Sequence, residues 1–168
     1  MRAVCLLVLL LALTGCDEAE FNGVESGAST DSSDSIPDYS VGSMHEQVLA
    51  LTNSHRAANG RAALVANAQL SQAAQAFAEL MGRENFFSHT SPDGTSAGER
   101  IAQTGYDYRT WGENIAYGQK TAAAVMNGWM NSSGHRSNIL NSGFKEIGIG
   151  YYLDESNTAY WVQDFGAQ

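Results

Sequence analysis

The sequence predicts an α+β domain with a central antiparallel sheet, and three observations support this. Through most of residues 44–131 the apolar residues recur every three or four positions, the period of amphipathic helices. After residue 146 they alternate with small or polar residues, the period of strands. Helical patterns come first and strand patterns last, an order typical of α+β folds.

The first two helices are predicted from apolar spacing. The first carries Met44, Val48 and Leu51 on one face and ends before Gly60. The second repeats the pattern more fully, so that one of its faces suits burial against a sheet. Its apolar positions are Leu70, Ala73, Ala74, Phe77, Ala78 and Met81.

Turn and cap residues place the next helix. Residues 91–94, Ser-Pro-Asp-Gly, form a turn sequence, because proline presets one backbone angle and glycine accepts a positive φ. Ser96 and Glu99 then form a capping box that begins a short helix. Gly105 ends that helix.

The remaining elements alternate between strand and helix. The run 111–118, WGENIAYG, favours a strand or a loop over a helix. Thr121 caps a helix that runs to Asn131. Two alternating runs, 147–151 and 160–165, flank the polar sequence DESNT and predict an antiparallel hairpin. The paired glycines of the first run indicate that a helix or a ligand approaches that backbone closely.

Residues 1–15 are predicted to be a lipoprotein signal peptide. Arg2 precedes eleven apolar residues, a run too short to span a bilayer and typical of a secretory signal. The tetrapeptide LTGC, which ends at Cys16, resembles the bacterial lipobox and implies lipidation of Cys16 with acyl chains such as palmitate. An ordinary signal peptide with a chance cysteine is the alternative. Because Cys5 leaves with the signal, no disulfide is expected.

Residues 16–42 are predicted to be the lipidated cysteine and a disordered tether. Seven of the eighteen acidic residues lie between Asp17 and Asp38, where Lys and Arg are absent and Ser and Gly are frequent. Such a segment cannot bury enough apolar surface to offset its chain entropy. Residues 43–168, the predicted globular domain, hold eleven acidic and eight basic residues. Because they show no basic stripe, a nucleic-acid partner is not expected.

Three polar residues at irregular junctions are the candidates for chemistry. They are His89 in FFSHTSPDG, Glu113 in WGENI and His135 in SSGHRSN. In one cleft, two imidazoles and a carboxylate can hold a divalent metal or act as a general base and its orienter. Their separations of 24 and 22 residues match no local metal motif, and no nucleophile elbow or phosphate loop occurs. We expect the chain to leave its helix at Asn131 so that a loop, freed by Gly134, aims His135 at His89.

Four motifs, in order, resemble the bacterial branch of the CAP superfamily of SCP-like domains (cysteine-rich secretory proteins, antigen 5 and pathogenesis-related 1 proteins). They are FFSHTSPDG, GENIAYG, GWMNSSGHRSNILNSGFKEIGIGYY and YWVQDFG, within a resemblance that covers nearly all of residues 44–166. It implies a three-layer α-β-α sandwich with a central antiparallel sheet. It also implies a conserved cleft at His89, Glu113 and His135, in which the histidine pair binds zinc or another divalent cation. The second glutamate of many eukaryotic members is Ser132 here.

Three functions remain open from the sequence. The first is a lipid-anchored protein of the bacterial cell envelope, on the periplasmic or extracellular face of a membrane, whose cleft binds a lipid, a small hydrophobic ligand or an envelope component. A divalent metal between His89 and His135 belongs to this hypothesis. The second is a hydrolase of envelope peptide or ester bonds with Glu113 as its base, and the third is an interaction module with a vestigial cleft. Ligand binding ranks first because no nucleophile can be named and the second carboxylate is missing.

The other polar and aromatic residues are interpreted as structural. Asn53 and Arg56 are expected to tie the first helix to a neighbour, and Asn114 and Asp164 to support the fold. Six aromatic residues are expected in the core: Phe86, Phe87, Trp111, Trp129, Trp161 and Phe165.

Overall fold

The computed structural model describes residues 43–168. The predicted signal peptide, Cys16 and tether lie outside the described residues. In chain order the elements are α1 (Met44–Ala58), β1 (Val65–Ala66), α2 (Ala68–Glu84), α3 (Ala97–Gln103), β2 (Thr110–Tyr117), α4 (Ala122–Asn131), α5 (Ser133–Leu140), β3 (Glu146–Leu153) and β4 (Ala159–Ala167).

The four strands form one sheet in the order β1-β3-β4-β2. The predicted hairpin is confirmed as β3 and β4, and the run that favoured a strand or a loop is β2, antiparallel to β4. β1 has only two residues and pairs in parallel with β3. The long strands are therefore antiparallel, and β2 is an edge of the described sheet.

Helices cover both faces of the sheet, which confirms the three-layer α-β-α sandwich. On one face, Trp161 and Phe165 of β4 join a core with α1, α4 and α5. On the other face, Tyr160 and Val162 pack against α2. Alternation along β4 thus supplies both cores, as the period of two requires.

The paired glycines of β3 allow α2 to lie directly on the sheet. A Cβ atom at Gly148 would lie 2.0 Å from the carbonyl carbon of Leu70, and one at Gly150 would lie 2.2 Å from the carbonyl oxygen of Ala74. The predicted close approach is therefore made by a helix, α2, and no larger residue fits without moving it.

The predicted helix starts at α3 and α4 are confirmed. The carboxylate of Glu99 accepts from the backbone N–H of Ser96 at 2.8 Å, and the hydroxyl of Ser96 accepts from the backbone N–H of Glu99. The hydroxyl of Thr121 accepts from the backbone N–H of Ala124 at 3.1 Å. These caps set the starts of α3 and α4, the helices that precede and follow β2 in the chain.

Two of the six predicted core aromatics lie at the surface instead. Phe87 is 45% exposed and Trp111 is 39% exposed, whereas Trp129, Trp161 and Phe165 are buried. Phe87 follows the end of α2 and packs on the ring of Tyr117, with the ring centroids 4.6 Å apart. Trp111 lies near the start of β2, and its ring contacts that of Tyr108 with the centroids 6.3 Å apart. Phe86 is partly buried beside α2.

Asn53 and Arg56 tie α1 to its neighbours, as predicted. The side chain of Asn53 bonds both backbone groups of Leu64, at 3.0 and 2.8 Å. The buried guanidinium of Arg56 donates to the carbonyl oxygens of Ile139 and Asn141 at 2.7 and 2.9 Å. These bonds anchor the C-terminal end of α5, the helix that carries His135.

Candidate functional site

A cavity of about 500 Å³ lies at the β2 edge of the sheet, and both candidate histidines line it. His89 comes from the loop between α2 and α3, and His135 comes from α5. The convergence expected of the two imidazoles is present in the structure. Glu113 of β2 is buried behind His89, at 6% exposure.

Both carboxylate oxygens of Glu113 are occupied. Oε1 lies 2.7 Å from Nδ1 of His89, and Oε2 accepts from Nη2 of Arg100 at 2.7 Å. An ionised carboxylate only accepts hydrogen bonds, so Nδ1 of His89 donates to Oε1 of Glu113. Nε2 is then the ring nitrogen of His89 that is left for the cavity. Glu113 therefore orients His89, and each of its oxygens is already engaged by a donor of the protein.

Arg100 is a site residue that the sequence pattern did not reveal. Its guanidinium lies over the ring of Phe77, 3.3 Å from the centroid, and is nearly buried. Besides Glu113, it donates to the carbonyl oxygens of His89 and Thr95 at 3.1 and 3.0 Å. Arg100 therefore joins the loop that carries His89 to both α3 and β2. Its signal in the sequence is a single basic residue beside the apolar positions of a short capped helix.

His135 lies in the first turn of α5, so the prediction of a loop at this position is wrong. Only Ser132 departs from helical backbone angles between α4 and α5, with φ −97° and ψ 124°. The bend is held by Arg136, whose backbone N–H donates to the carbonyl oxygen of Ser132 at 2.9 Å and whose guanidinium donates to that of Met130 at 3.1 Å. A one-residue bend between two helices therefore directs His135 into the cavity, and the freedom of Gly134 is not required.

A partly buried network of amide hydrogen bonds fastens α5 to β2. Nδ2 of Asn138 donates to the carbonyl oxygen of Glu113 at 3.1 Å and to Oδ1 of Asn114 at 2.9 Å. Nδ2 of Asn114 donates to the carbonyl oxygen of His135 at 3.2 Å and to Oε1 of Gln163 at 3.1 Å. The network fixes the backbone of His135 relative to that of Glu113. The structural interpretation of Asn114 therefore agrees with its contacts.

Burial and a neighbouring imidazole act together on His135. Removal from water lowers the pKa of His135 below its ordinary value of 6.5, and the proximity of His89 lowers it further. Near neutral pH this imidazole is therefore uncharged. A neutral imidazole offers one N–H donor and one nitrogen acceptor.

The cavity walls are mostly apolar. Its polar lining comes from Ser88, Gln119 and Ser132 in addition to the two histidines. Oε1 of Gln119 is buried and has no hydrogen-bond partner within residues 43–168. The other lining residues are Phe87, Ile115, Ala116, Tyr117, Val125, Gly128 and Trp129. Most of the surface offered to a ligand is therefore hydrocarbon, with polar groups at a few points.

A second cavity, of about 570 Å³, lies between α1 and α2 and is less suited to chemistry despite its greater volume. Its titratable residues are engaged with neighbours: Nε2 of His45 bonds Oε1 of Gln75 at 3.0 Å, and Glu46 caps α1 through Ser43. The histidine pair therefore identifies the cavity at β2 as the candidate site.

A metal in the cavity at β2 would have two protein ligands. Across residues 43–168, no group of three or more His, Cys, Asp or Glu residues could hold a metal ion together. Nε2 of His89 and the ring of His135 remain suitable donors, and the contact of His89 with Glu113 is the support that metal-ligating histidines usually have. A cation held by these two imidazoles would need water or a ligand at its other positions.

Comparison with known proteins places this architecture among a described family. The sequence profile of the cysteine-rich secretory protein (CAP) family matches residues 49–165. This span contains His89, Glu113 and His135. Within residues 43–168, no helix combines the length and apolar character needed to cross a bilayer.

Two proteins of Bacillus subtilis (strain 168) are similar in sequence. The uncharacterized protein YkwD is 42% identical over 126 residues, which are 75% of this chain and 48% of that protein. The uncharacterized membrane protein YlbC is 35% identical over 120 residues, which are 71% of this chain and 33% of that protein. The chain thus spans about half the length of the first relative and a third of the second.

A solved structure shares the fold. An extracellular protein containing an SCP domain, from Bacillus anthracis str. Ames, matches with a TM-score of 0.70 and 31% identity. The match covers 74% of this chain and 40% of that one.

Proposed function

The chain belongs to the cysteine-rich secretory protein (CAP) family, and from this premise we propose that its cavity at β2 binds a small organic ligand. The observation that carries the proposal is the composition of the cavity. About 500 Å³ of mostly apolar space ends at two imidazoles, a volume and a lining typical of small-molecule sites.

The two histidines define the polar end of the ligand. Because Nδ1 of His89 donates to Glu113, the neutral form of His89 would offer Nε2 as an acceptor, and neutral His135 has a donor and an acceptor. A hydroxyl, carboxyl or amide group matches this pair. The apolar body of the ligand would lie against β2 and α4. Candidate ligands are a lipid, a small hydrophobic molecule or an apolar part of an envelope component.

The proposal can be tested by extracting the ligand from the purified protein. One substitution that fills the cavity should prevent the ligand from binding. A Cβ atom at Gly128 meets no atom within 4 Å, so Gly128→Leu adds bulk at the cavity without distorting α4. Gly134→Leu is the matched control, because Gly134 is equally open and does not line the cavity. Full-length protein is purified in mild detergent, and its organic extract is analysed by mass spectrometry.

We expect a compound that co-purifies in a stoichiometric amount with the wild type and with Gly134→Leu, and that is reduced at least tenfold in Gly128→Leu. Equal recovery from all three proteins would contradict binding in this cavity. An extract without any such compound, together with unchanged partner binding in Gly128→Leu, would favour the interaction module.

A second candidate function is binding of a divalent cation, zinc among them, by His89 and His135. The observation in its favour is the contact of Glu113 with Nδ1 of His89, which leaves Nε2 free to coordinate. When bound, such an ion would supply a Lewis acid at the polar end of the cavity. Zinc titration of the full-length protein by calorimetry, without affinity-tag histidines, tests this. Stoichiometric binding lost in both His89→Ala and His135→Ala supports it, and binding indifferent to both contradicts it.

Hydrolysis ranks below binding on the same geometry. Glu113 is engaged on both oxygens, so the base in a hydrolase would be Nε2 of His89, with Glu113 as its orienter. The serines that line the cavity, Ser88 and Ser132, have no hydrogen bond to His89 or His135 in the described structure. A water molecule would then be the nucleophile.

We also propose export and lipid anchoring through Cys16. The apolar run and the LTGC tetrapeptide support this, and so do two relatives: the B. anthracis protein is described as extracellular, and YlbC is described as a membrane protein. The cavity would then face the envelope, where lipids and cell-wall components are the available ligands.

A further inference from the structure

Asp164 is a buried acid immediately beside Glu113. It lies opposite Glu113 in the register of β4 and β2, so the two side chains project from the same face of the sheet. Asp164 is 1% exposed and Glu113 is 6% exposed. Two adjacent carboxyl groups that are both removed from water do not both ionise near neutral pH, because each negative charge disfavours the other.

The charges around the pair decide which group keeps the proton. Glu113 receives the guanidinium of Arg100 from α3 and Nδ1 of His89 from the preceding loop, each at 2.7 Å. On its other flank Asp164 pairs with Gly148 of β3, a position that α2 covers with the backbone of Leu70. Neither Gly148 nor Leu70 brings charge. Arg100 can neutralise one carboxylate, and its direct bond selects Glu113.

The surroundings of Asp164 point the same way. The two carboxyl groups lie side by side on paired strands, and a hydrogen bond between them requires a proton on one of them. Its Oδ1 is buried without a hydrogen-bond partner in the described part of the chain. A carboxylate oxygen without a donor is far more costly to bury than the carbonyl oxygen of a neutral acid.

We propose that Asp164 is a neutral carboxylic acid whose hydroxyl donates to Glu113, and that Asp164 is a positioning residue of the cavity at β2. Glu113 then accepts from three donors, on His89, Arg100 and Asp164, and its carboxylate cannot rotate away from His89. The hydrogen of His89 stays on Nδ1 and Nε2 stays directed at the cavity. This inference goes beyond ligand binding and holds whatever the ligand is.

Electrostatics agrees with this assignment. Burial raises the pKa of Asp164 well above its ordinary value, the charge of Glu113 raises it further, and Arg100 offsets part of the rise. The folded state therefore keeps a proton that the unfolded chain releases near the ordinary aspartate pKa of about 3.9. Because the pKa of Asp164 is raised in the folded state, the stability that Asp164 contributes is fully present below its unfolded pKa. That stability is lost as the pH rises towards the folded pKa.

Infrared spectroscopy of the full-length protein tests the protonation state directly. At neutral pH we expect a carbonyl-stretch band of a protonated carboxylic acid in the wild type, and we expect Asp164→Asn to lack it. Absence of the band from the wild type, or its survival in Asp164→Asn, would overturn the proposal.

The pH dependence of unfolding gives an independent test. Asp164→Asn keeps the shape of the side chain and a hydrogen-bond donor, but the amide does not titrate. Relative to this variant, the wild type is expected to lose stability above pH 4, by up to tenfold in the unfolding equilibrium constant per pH unit until the folded pKa is reached. If the ratio of the two unfolding equilibrium constants, wild type to Asp164→Asn, does not change with pH, Asp164 is ionised in the folded protein and the proposal is overturned.

The positioning role has its own readout in the imidazole ¹⁵N spectrum of His89. We expect Asp164→Asn to keep the Nδ1–H tautomer and Asp164→Ala, which has no donor, to show a mixture of both tautomers. An unchanged tautomer in Asp164→Ala would overturn the positioning role. If Asp164→Ala does not fold, Asp164→Leu supplies a side chain of similar shape without a donor, and an unchanged single tautomer there would likewise overturn the positioning role.

Discussion

At the residue scale, the site depends on how one carboxylate is used. Glu113 holds His89 with one oxygen and Arg100 with the other, and none of these contacts requires a ligand to be present. The imidazole of His89 is therefore already oriented, which would reduce the entropy cost of the proposed ligand binding. In that proposal Glu113 acts through His89 and not on the ligand itself.

The ion pair of Glu113 with Arg100 predicts a large loss of stability in Glu113→Gln. The substitution leaves the guanidinium of Arg100 nearly buried without its counter-charge, a change that costs about 3 kcal/mol. Glu79→Gln is the matched control, because Glu79 pairs with the exposed Arg83 at 2.9 Å and its loss should cost about 0.5 kcal/mol. Urea unfolding of both variants measures the difference, and similar losses would contradict the buried pair.

The environment of His135 predicts a pH effect with a definite sign. Its pKa is lowered in the folded state, so the unfolded chain binds a proton that the folded chain does not. Stability contributed by neutral His135 is present above the ordinary pKa of 6.5 and is lost as the pH falls below it. Unfolding from pH 7.5 to 5 in the presence of a chelator should therefore show a smaller acid-induced loss in His135→Gln than in the wild type. Parallel curves would contradict the shift.

The sequence predicted some site residues and missed others for a physical reason. His89, Glu113 and His135 interrupt the apolar patterns around them, so they are visible in one dimension. Arg100 and Asp164 fit the local pattern of a helix and a strand, and they enter the site only because α3 and β4 lie beside β2. Their roles are created by the tertiary structure.

At the element scale, the hydrophobic periods predicted the helices α1 and α2 and the strands of the hairpin, and cap residues predicted α3 and α4. α5 was missed because its eight residues carry few apolar positions and it is held by hydrogen bonds from Arg56 and Asn138. β1 has two residues, too few to show any period. Elements held by side-chain bonds to other parts of the chain leave little trace in local sequence.

The contact of α2 with β3 predicts opposite effects for two glycine substitutions. Gly148→Ala forces a methyl group into the backbone of Leu70, at 2.0 Å, and should destabilise the fold by about 3 kcal/mol. Gly128→Ala, in α4, meets no atom and should stabilise by about 1 kcal/mol through helix propensity. Thermal unfolding of the two variants decides this, and a tolerated Gly148→Ala would show that α2 can move off the sheet.

At the scale of the whole molecule, the described domain brings its cavity to one edge of the sheet. The same edge strand carries Glu113 and presents Ile115 and Tyr117 to the cavity. One strand therefore links the orientation of the imidazoles to the apolar wall. Residues 43–168 contain no cysteine, so the domain depends on its hydrophobic core clusters for stability.

The proposed anchor predicts a change of location in Cys16→Ser. Without the thiol there is no lipid attachment, so metabolic labelling with a palmitate analogue should be abolished and the protein should leave the membrane fraction. Cys5→Ser is the control, because Cys5 lies inside the predicted signal and should not alter labelling. Equal labelling of both variants would contradict lipidation at Cys16.

The measurement that tests the central claim most directly is the imidazole ¹⁵N spectrum of full-length protein, recorded before and after removal of the co-purifying ligand. Binding at the polar end of the cavity predicts that the Nε2 signal of His89 and a ring signal of His135 shift together, while Nδ1 of His89 stays protonated against Glu113. If neither histidine responds while the signals of His45 and His55 do, the ligand lies elsewhere and the cavity at β2 is not its site.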